Sequence, residues 1–200
     1  ASDVYKRQDM DSIRRAAEKY GEPGPHSLMV EEMALKMFDS LKSIHNLDGR
    51  WRELLEAGAL LHDIGWVDGG KGHHKSAMRH ILNDQEMALT PRQRCIVGSL
   101  ARYHRKRMPR KGDFHLTSLG EVDQEGTLKI ASILRVADAL DASHGGIVSG
   151  IEIVYDCEDL IIICTVKGQA DLEWESFENK KDLFEAVFGR KLAVEWKLRD

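Results

Sequence analysis

Apolar residues return every three or four positions along most of the chain, a spacing that predicts amphipathic helices. The clearest run extends from His26 to Leu41. Thr90 followed by Pro91 predicts another helix, running to about His104, because threonine caps helix starts and proline suits the first helical position. The same pattern, with Asp11, Ser12 and Asp48 as candidate caps, places further helices at residues 12–20, 48–63, 74–83 and 127–142, with mostly loop at 109–126.

The pattern changes after Gly146, where β-branched residues become frequent. Residues 151–155 and 160–166 predict two strands around a turn at 156–159. Further strands are predicted at 172–175 and 192–196, and a helix at 179–188. The expected fold is mainly α, with a helical domain at residues 10–146 followed by a small α+β module at 147–200. Residues 1–9 fit no amphipathic pattern and are expected to be a leader or a disordered segment, with native sequence continuing upstream.

Composition narrows the class of protein. An apolar fraction of 42% over 200 residues suits a globular chain with a sizeable core. Cys95, Cys157 and Cys164 are odd in number and lack CxxC spacing, which argues against a disulfide framework or a cysteine-built zinc site. Cys95 and Cys164 lie in apolar segments and are expected in the core. No segment approaches the ~20 apolar residues that span a bilayer, and no secretory signal is evident, so a cytoplasmic protein without a membrane partner is expected.

The dipeptide His62-Asp63 is the most unusual feature of the pattern, since it ends an apolar helix on two good metal ligands. Imidazole and carboxylate together suit a hard or borderline divalent ion. Gly65 follows at a position where a helix-ending glycine is expected. Adjacent helical residues diverge by about 100°, so the pair lacks the i, i+4 spacing of a helical zinc site.

Metal sites in helical proteins collect side chains from several helices. Further candidate ligands are His26, the pair His73-His74, His104 and Asp138, each on a different predicted helix or loop. Structural roles stay open for all of them: a helix cap or surface residue for His26, a helix-dipole partner for His104, an ion pair with Arg135 for Asp138, and a solvated loop for His73-His74. Spacing alone does not choose between these interpretations.

The order of the motifs resembles that of the HD-domain metal-dependent phosphohydrolases. The motifs are His26, then LLHDIG at 60–65, GHHK at 72–75, ARYHRK at 101–106 and RVADALD at 135–141. The resemblance implies a helical bundle and one or two divalent ions of manganese, magnesium, iron, cobalt or zinc. The implied ligands are His26, His62, Asp63 and Asp138 for one ion, with His73 or His74 and His104 for another. Asp63, His74 and His104 are the implied catalytic residues.

A narrower resemblance extends from about Met10 to Trp196. ELLEAGALLHDIGW at 53–66 and DLFEAVFGRKL at 182–192 look like the carboxyl-terminal half of the exopolyphosphatase/guanosine pentaphosphate phosphatase (Ppx/GppA) family. The polyphosphate-cleaving chemistry of that family resides in an actin-like amino-terminal half, which this sequence does not include. Exopolyphosphatase activity is therefore not implied.

A divalent ion bound by these ligands would lower the pKa of bound water from ~15.7 to roughly 7, which supplies hydroxide at neutral pH. Six of the ten residues from Arg102 to Lys111 are arginine or lysine. Lys75, Arg105 and Lys106 are the candidates for holding phosphate oxygens, although a solvated face would explain them too. Asp141, one turn after Asp138, is expected to support the site rather than to bind metal.

Two hypotheses of function follow. The first is an HD-type phosphohydrolase acting on a phosphate ester or nucleotide. The alternative is a non-catalytic module that binds polyphosphate or a nucleotide through the basic run, or that provides a homodimer interface. Nucleic acid is disfavoured as a partner, because the net charge is -4 and few aromatic residues lie among the basic ones.

Overall fold

The computed structural model describes residues 2–156 and 158–199, with the backbone alone for residues 2–9. The predicted architecture is confirmed: a mainly α chain ends in a small part that combines helices with a sheet. The helices are α1 (Ser2–Lys19), α2 (Pro25–Ser40), α3 (Lys42–His45), α4 (Gly49–Leu61), α5 (His73–Asn83), α6 (Pro91–Tyr103), α7 (Phe114–Thr117), α8 (Glu121–Ala139), α9 (Asp171–Lys180) and α10 (Asp182–Phe188). A 3-10 helix covers Ile64–Asp68, and the strands are β1 (Val148–Tyr155), β2 (Asp159–Val166) and β3 (Lys191–Leu198).

Two of the predicted helix starts have the expected caps. The Asp48 carboxylate accepts a hydrogen bond of 2.9 Å from the backbone nitrogen of Arg50 at the start of α4. Thr90 and Gln93 form a reciprocal capping box before α6, in which each side chain accepts from the backbone of the other. Such caps satisfy amide groups that have no partner within the helix.

Helix α8 lies at the centre of the core. It packs against α2, α4 and α6 on the helical side and against α9 and α10 of the terminal part. Every residue from Ile130 to Ala139 is buried. Because Arg135 and Asp138 fall within this stretch, their charged groups need partners inside the protein.

The sheet has the order β1-β2-β3. Strand β2 runs antiparallel to β1 and parallel to β3, with Cys164 opposite Ile151 on one side and Trp196 on the other. The parallel pairing requires a crossover, which α9 and α10 provide. Since β1 contacts α2, and α9 and α10 contact α8, the terminal part packs on the helical part.

Several predicted elements were wrong. The strand expected at 172–175 lies inside α9, where Glu173, Phe177 and Lys180 are buried at helical spacing. Two of these three residues are charged, so the sequence does not show the stripe as an apolar helical period. Residues 109–126 are not mostly loop, because they contain α7 and the start of α8. The first helix begins at Ser2 instead of near residue 12, and whether residues 1–9 are a leader stays a prediction.

Gly65 does not end helix α4, contrary to the prediction. The helix ends at Leu61, and Gly65 lies in the 3-10 helix that follows. A Cβ atom at Gly65 would collide with the carbonyl oxygen of His73 and the backbone nitrogen of Ala77. Glycine is therefore needed because the 3-10 helix approaches α5 closely, and this approach places His73 beside the end of α4.

The cysteines agree with a structural role where they are described. Cys164 is buried and Cys95 is half-buried, while Cys157, in the predicted turn, lies outside the described residues. None of the helices in the described ranges is both long enough and apolar enough to cross a bilayer.

Candidate metal centre

Three histidines share one hydrogen-bonding pattern. In each, Nδ1 lies within 2.9 Å of a backbone carbonyl oxygen three residues earlier in the chain. Because a carbonyl can only accept, each Nδ1 carries the proton, and Nε2 of the neutral ring then has an unshared electron pair. The pairs are His62 with Ala59, His73 with Gly70, and His104 with Ala101.

The first group of ligand atoms consists of His26, His62 and Asp138, all buried. Oδ1 of Asp138 lies 3.2 Å from Nε2 of His26 and 3.8 Å from Nε2 of His62. The three residues come from α2, the end of α4 and α8. The helices that pack around α8 thus bring them to one point in the interior.

The second group consists of Asp63, His73 and His104, also buried. Oδ1 of Asp63 lies 3.4 Å from Nε2 of His73 and 3.6 Å from Nε2 of His104. The other oxygen of Asp63 lies 3.6 Å from Nε2 of His62 and 3.9 Å from Nε2 of His26. Asp63 therefore stands between the two groups, with one carboxylate oxygen toward each.

The polar atoms of both groups fit a cation better than they fit one another. Nε2 of His62 is buried and has no hydrogen-bond partner among the described residues. Nε2 of His73 and Nε2 of His104 lie 3.3 Å apart, and with both Nδ1 atoms protonated neither nitrogen can donate. Nitrogen and carboxylate oxygen atoms at such separations can share an ion at about 2.0–2.2 Å from each.

Residues 9–159 match the family model for domain III of the Ppx/GppA phosphatases. The chain belongs to this family. The match covers more than half of the chain and includes both groups of candidate ligands, which confirms the resemblance to the Ppx/GppA family. No curated protein sequence matches the chain.

In this Ppx/GppA domain, His26 is held on both sides of its ring. Nδ1 lies 2.8 Å from Oδ2 of Asp141, and Nε2 faces Asp138. Burial lowers the pKa of His26, but the hydrogen bonds to the two aspartates outweigh it and raise the pKa to about 10. A protonated imidazole is thus favoured between these carboxylates when no metal is bound.

The carboxylates of the centre are held ionised by their surroundings. Burial alone would raise the pKa of Asp138, yet Lys180 and His26 bring it well below its usual range. Burial likewise opposes ionisation of Asp63, but the charge that His62 and His104 would carry when protonated lowers its pKa. Ionised carboxylates and neutral imidazoles are the forms that bind metal ions.

Lys180 was missed by the sequence reasoning. Its Nζ lies 2.5 Å from Oδ2 of Asp138 and is buried. The residue is the last of α9, so the terminal part of the chain reaches into the candidate centre. The helical spacing of Glu173, Phe177 and Lys180 was the signal available in the sequence, and the charges of Glu173 and Lys180 obscured it.

His144 was missed as well. Its ring stacks on that of His26, with 3.7 Å between centroids and an angle of 5° between planes. His144 is exposed and forms a further potential ligand group with His26 and Asp63. It lies in the loop between α8 and β1, outside any motif that spacing could reveal.

His74 lies beside the second group without joining it. Its ring centroid is 5.8 Å from that of His73 and 6.4 Å from that of His104. Burial, followed by the charge of Arg102, lowers the pKa of His74 to about 4. The predicted phosphate-binding residues Lys75, Arg105 and Lys106 are all exposed.

Proposed function

We propose that this chain is a metal-dependent phosphohydrolase of the HD type, acting on a small phosphate ester or nucleotide. The observation that carries the proposal is the approach of the His73 and His104 Nε2 atoms to 3.3 Å, with Nδ1 of each ring committed to a carbonyl. Two electron pairs facing one another inside a protein are unfavourable unless a cation lies between them. Membership of a phosphatase family supports the same conclusion.

His26, His62, Asp63 and Asp138 would hold one divalent ion, and Asp63, His73 and His104 a second. Asp63 is the ligand common to both, because each of its oxygens faces one group. The bound ions would supply a water of lowered pKa and a clamp for phosphoryl oxygens. Because the ligands are imidazole and carboxylate, manganese, magnesium, iron, cobalt and zinc all suit the centre.

The remaining residues would act on the substrate. His74 is neutral at pH 7, since its pKa is about 4, and can exchange a hydrogen bond with a phosphate oxygen or a leaving group. His104 and Asp63 would contribute to catalysis as ligands of the metal ions. The exposed Lys75, Arg105 and Lys106 would attract and hold an anionic substrate. We place this activity in the reducing cytoplasm.

The test combines metal analysis with hydrolysis assays. Purified protein is expected to retain about two divalent ions per chain, as two-metal sites do, and to hydrolyse members of a panel of nucleotides and phosphomonoesters with manganese. Asp63→Asn is expected to lose both properties, whereas Asp39→Asn, an exposed aspartate paired with Arg52, should keep both. Absence of metal and turnover, with wild type equal to Asp63→Asn, would contradict the proposal.

The second candidate function is non-catalytic binding of polyphosphate or a nucleotide, with the chain as a dimerising module. The exposure of Arg105 and Lys106 favours it. Binding would then weaken with salt and survive Asp63→Asn, but it would be lost when Arg105 and Lys106 are both changed to glutamine. Salt-sensitive binding that those two changes leave intact would contradict this candidate.

A further inference from the structure

A second polar cluster surrounds Arg102, in the last turn of α6. Arg102 is 7% exposed, and its Nη1 has no hydrogen-bond partner in the described part of the chain. His115, on α7, is 3% exposed, and its Nε2 is likewise without a partner among the described residues. Nε of Arg107 is a third buried nitrogen that has no hydrogen-bond partner among the described residues.

The nearby carboxylate is already committed to other donors. Asp113 accepts from the hydroxyl of Tyr103 at 2.7 Å, from the backbone nitrogen of Arg110 at 3.0 Å, and from Nη2 of Arg107. Arg102 and Arg107 also repel one another. The cluster therefore holds more positive than negative charge, and Arg102 has the least compensation.

Buried donors without partners are rare in proteins, because each costs the energy of removing it from water. A buried cation without a counter-ion costs more still. Two of the three nitrogens belong to guanidinium groups, which only donate, and Nε2 of His115 donates in one tautomer of its ring. An anion that accepts from them is the best explanation. A tetrahedral phosphate offers several oxygens, and guanidinium groups match its geometry.

We propose that Arg102, Arg107 and His115 form a binding site for a phosphate-sized oxyanion, separate from the metal centre. This inference goes beyond the proposed function, because these donors need no metal. The site nevertheless neighbours the centre: Arg102 precedes His104 by two residues and is the cation that acts most strongly on His74. A free phosphate or the phosphate group of a larger molecule would both satisfy the donors.

The test uses the full chain treated with EDTA, so that it does not depend on metal or turnover. The Tm is recorded at increasing concentrations of inorganic phosphate. A parallel series contains sodium chloride at the same ionic strength. Phosphate is expected to raise the Tm of wild type in a saturable manner, because a ligand that binds only the folded state stabilises it. Arg102→Met and His115→Gln are expected to abolish this rise, and Lys111→Met, an exposed residue of the same basic run, to retain it.

If Arg102→Met fails to fold, Arg102→Lys replaces it in the test, because lysine keeps the charge but lacks the planar guanidinium group. Phosphate should raise the Tm of Arg102→Lys much less than that of wild type. A parallel titration with AMP identifies the source: a rise with AMP as well supports a phosphate group on a larger molecule, and a rise with phosphate alone supports the free ion. Equal effects of phosphate and chloride on wild type, or an undiminished phosphate effect in Arg102→Met, would overturn the proposal.

Discussion

The amine of Lys180 lies 2.5 Å from Oδ2 of Asp138, although β1 and β2 lie between the two residues in the sequence. The lysine engages one oxygen of the carboxylate and leaves Oδ1 facing His26 and His62. It thereby fixes which oxygen of Asp138 is directed toward the candidate ion. The terminal α+β part thus takes part in building the centre.

Replacing Lys180 with methionine is expected to destabilise the metal-free protein. The change removes a cation from a buried carboxylate, and breaking a buried pair costs about 3 kcal/mol or more. Urea unfolding at pH 7 measures the effect. Lys181→Met is the matched control, because Lys181 pairs at 2.9 Å with Glu178, which is exposed, and such pairs contribute about 0–1 kcal/mol. Equal losses in the two variants would show that the Lys180 pair contributes nothing beyond a surface interaction.

Asp141→Asn is expected to weaken metal binding without removing a ligand. Asp141 accepts from Nδ1 of His26 and so orients Nε2 toward the centre. Losing such an orienting carboxylate typically reduces metal affinity roughly 10–100-fold. Competition with a chelator measures the affinity, and Asp159→Asn, an exposed residue at the start of β2, should leave it unchanged. An affinity equal to that of wild type would mean that His26 needs no such support.

The stability of the metal-free protein is expected to decline in alkali because of His26. Its pKa is raised in the folded state from 6.5 to about 10. The unfolded chain therefore loses this proton first, so the contribution is complete below pH 6.5 and disappears as the pH rises toward 10. The slope can reach about 1.4 kcal/mol per pH unit. Urea unfolding from pH 6 to 10 measures it, and a His26→Gln variant with the same slope would exclude this origin.

Gly65→Ala is expected to disturb both folding and the centre. The added Cβ would meet the backbone of α5 at His73 and Ala77, which cannot yield as a flexible side chain does. Overpacking of this kind costs about 1–3 kcal/mol. Unfolding and metal content are both measured, with Gly112→Ala as the control, since a Cβ at Gly112 has no neighbour within 4 Å among the described residues. Unchanged values for Gly65→Ala would mean that the close approach has no influence on the centre.

The sequence was most informative where one local rule decides the structure. Thr90-Pro91 and Asp48 were recognisable as helix starts because capping depends only on neighbouring residues. His62-Asp63 was unusual for a buried helix end, and the order of motifs named the residues that the fold brings together as two ligand groups. Spacing alone left structural roles open for the same residues, because it does not report which helices meet.

The features of the candidate sites that the sequence did not predict depend on packing between residues far apart in the chain. Lys180 reaches Asp138 only because α9 packs on α8, and the same segment was expected to contain a strand. The role of Gly65 depends on how closely the 3-10 helix approaches α5. Arg102 was one of many cations in a basic run, and only its burial distinguishes it from its exposed neighbours Arg105 and Lys106.

The dependence of α8 on the terminal part has an evolutionary consequence. Besides the lysine on Asp138, Asp182 pairs with the buried Arg135 at 2.7 Å, and Glu173 accepts from the backbone nitrogen of Ser143. A recombination event that joined the helical part alone to another gene would leave Arg135 without Asp182, and Asp138 without Lys180. An exchange of the terminal part that keeps α8 stable therefore has to bring replacements for Lys180 and Asp182.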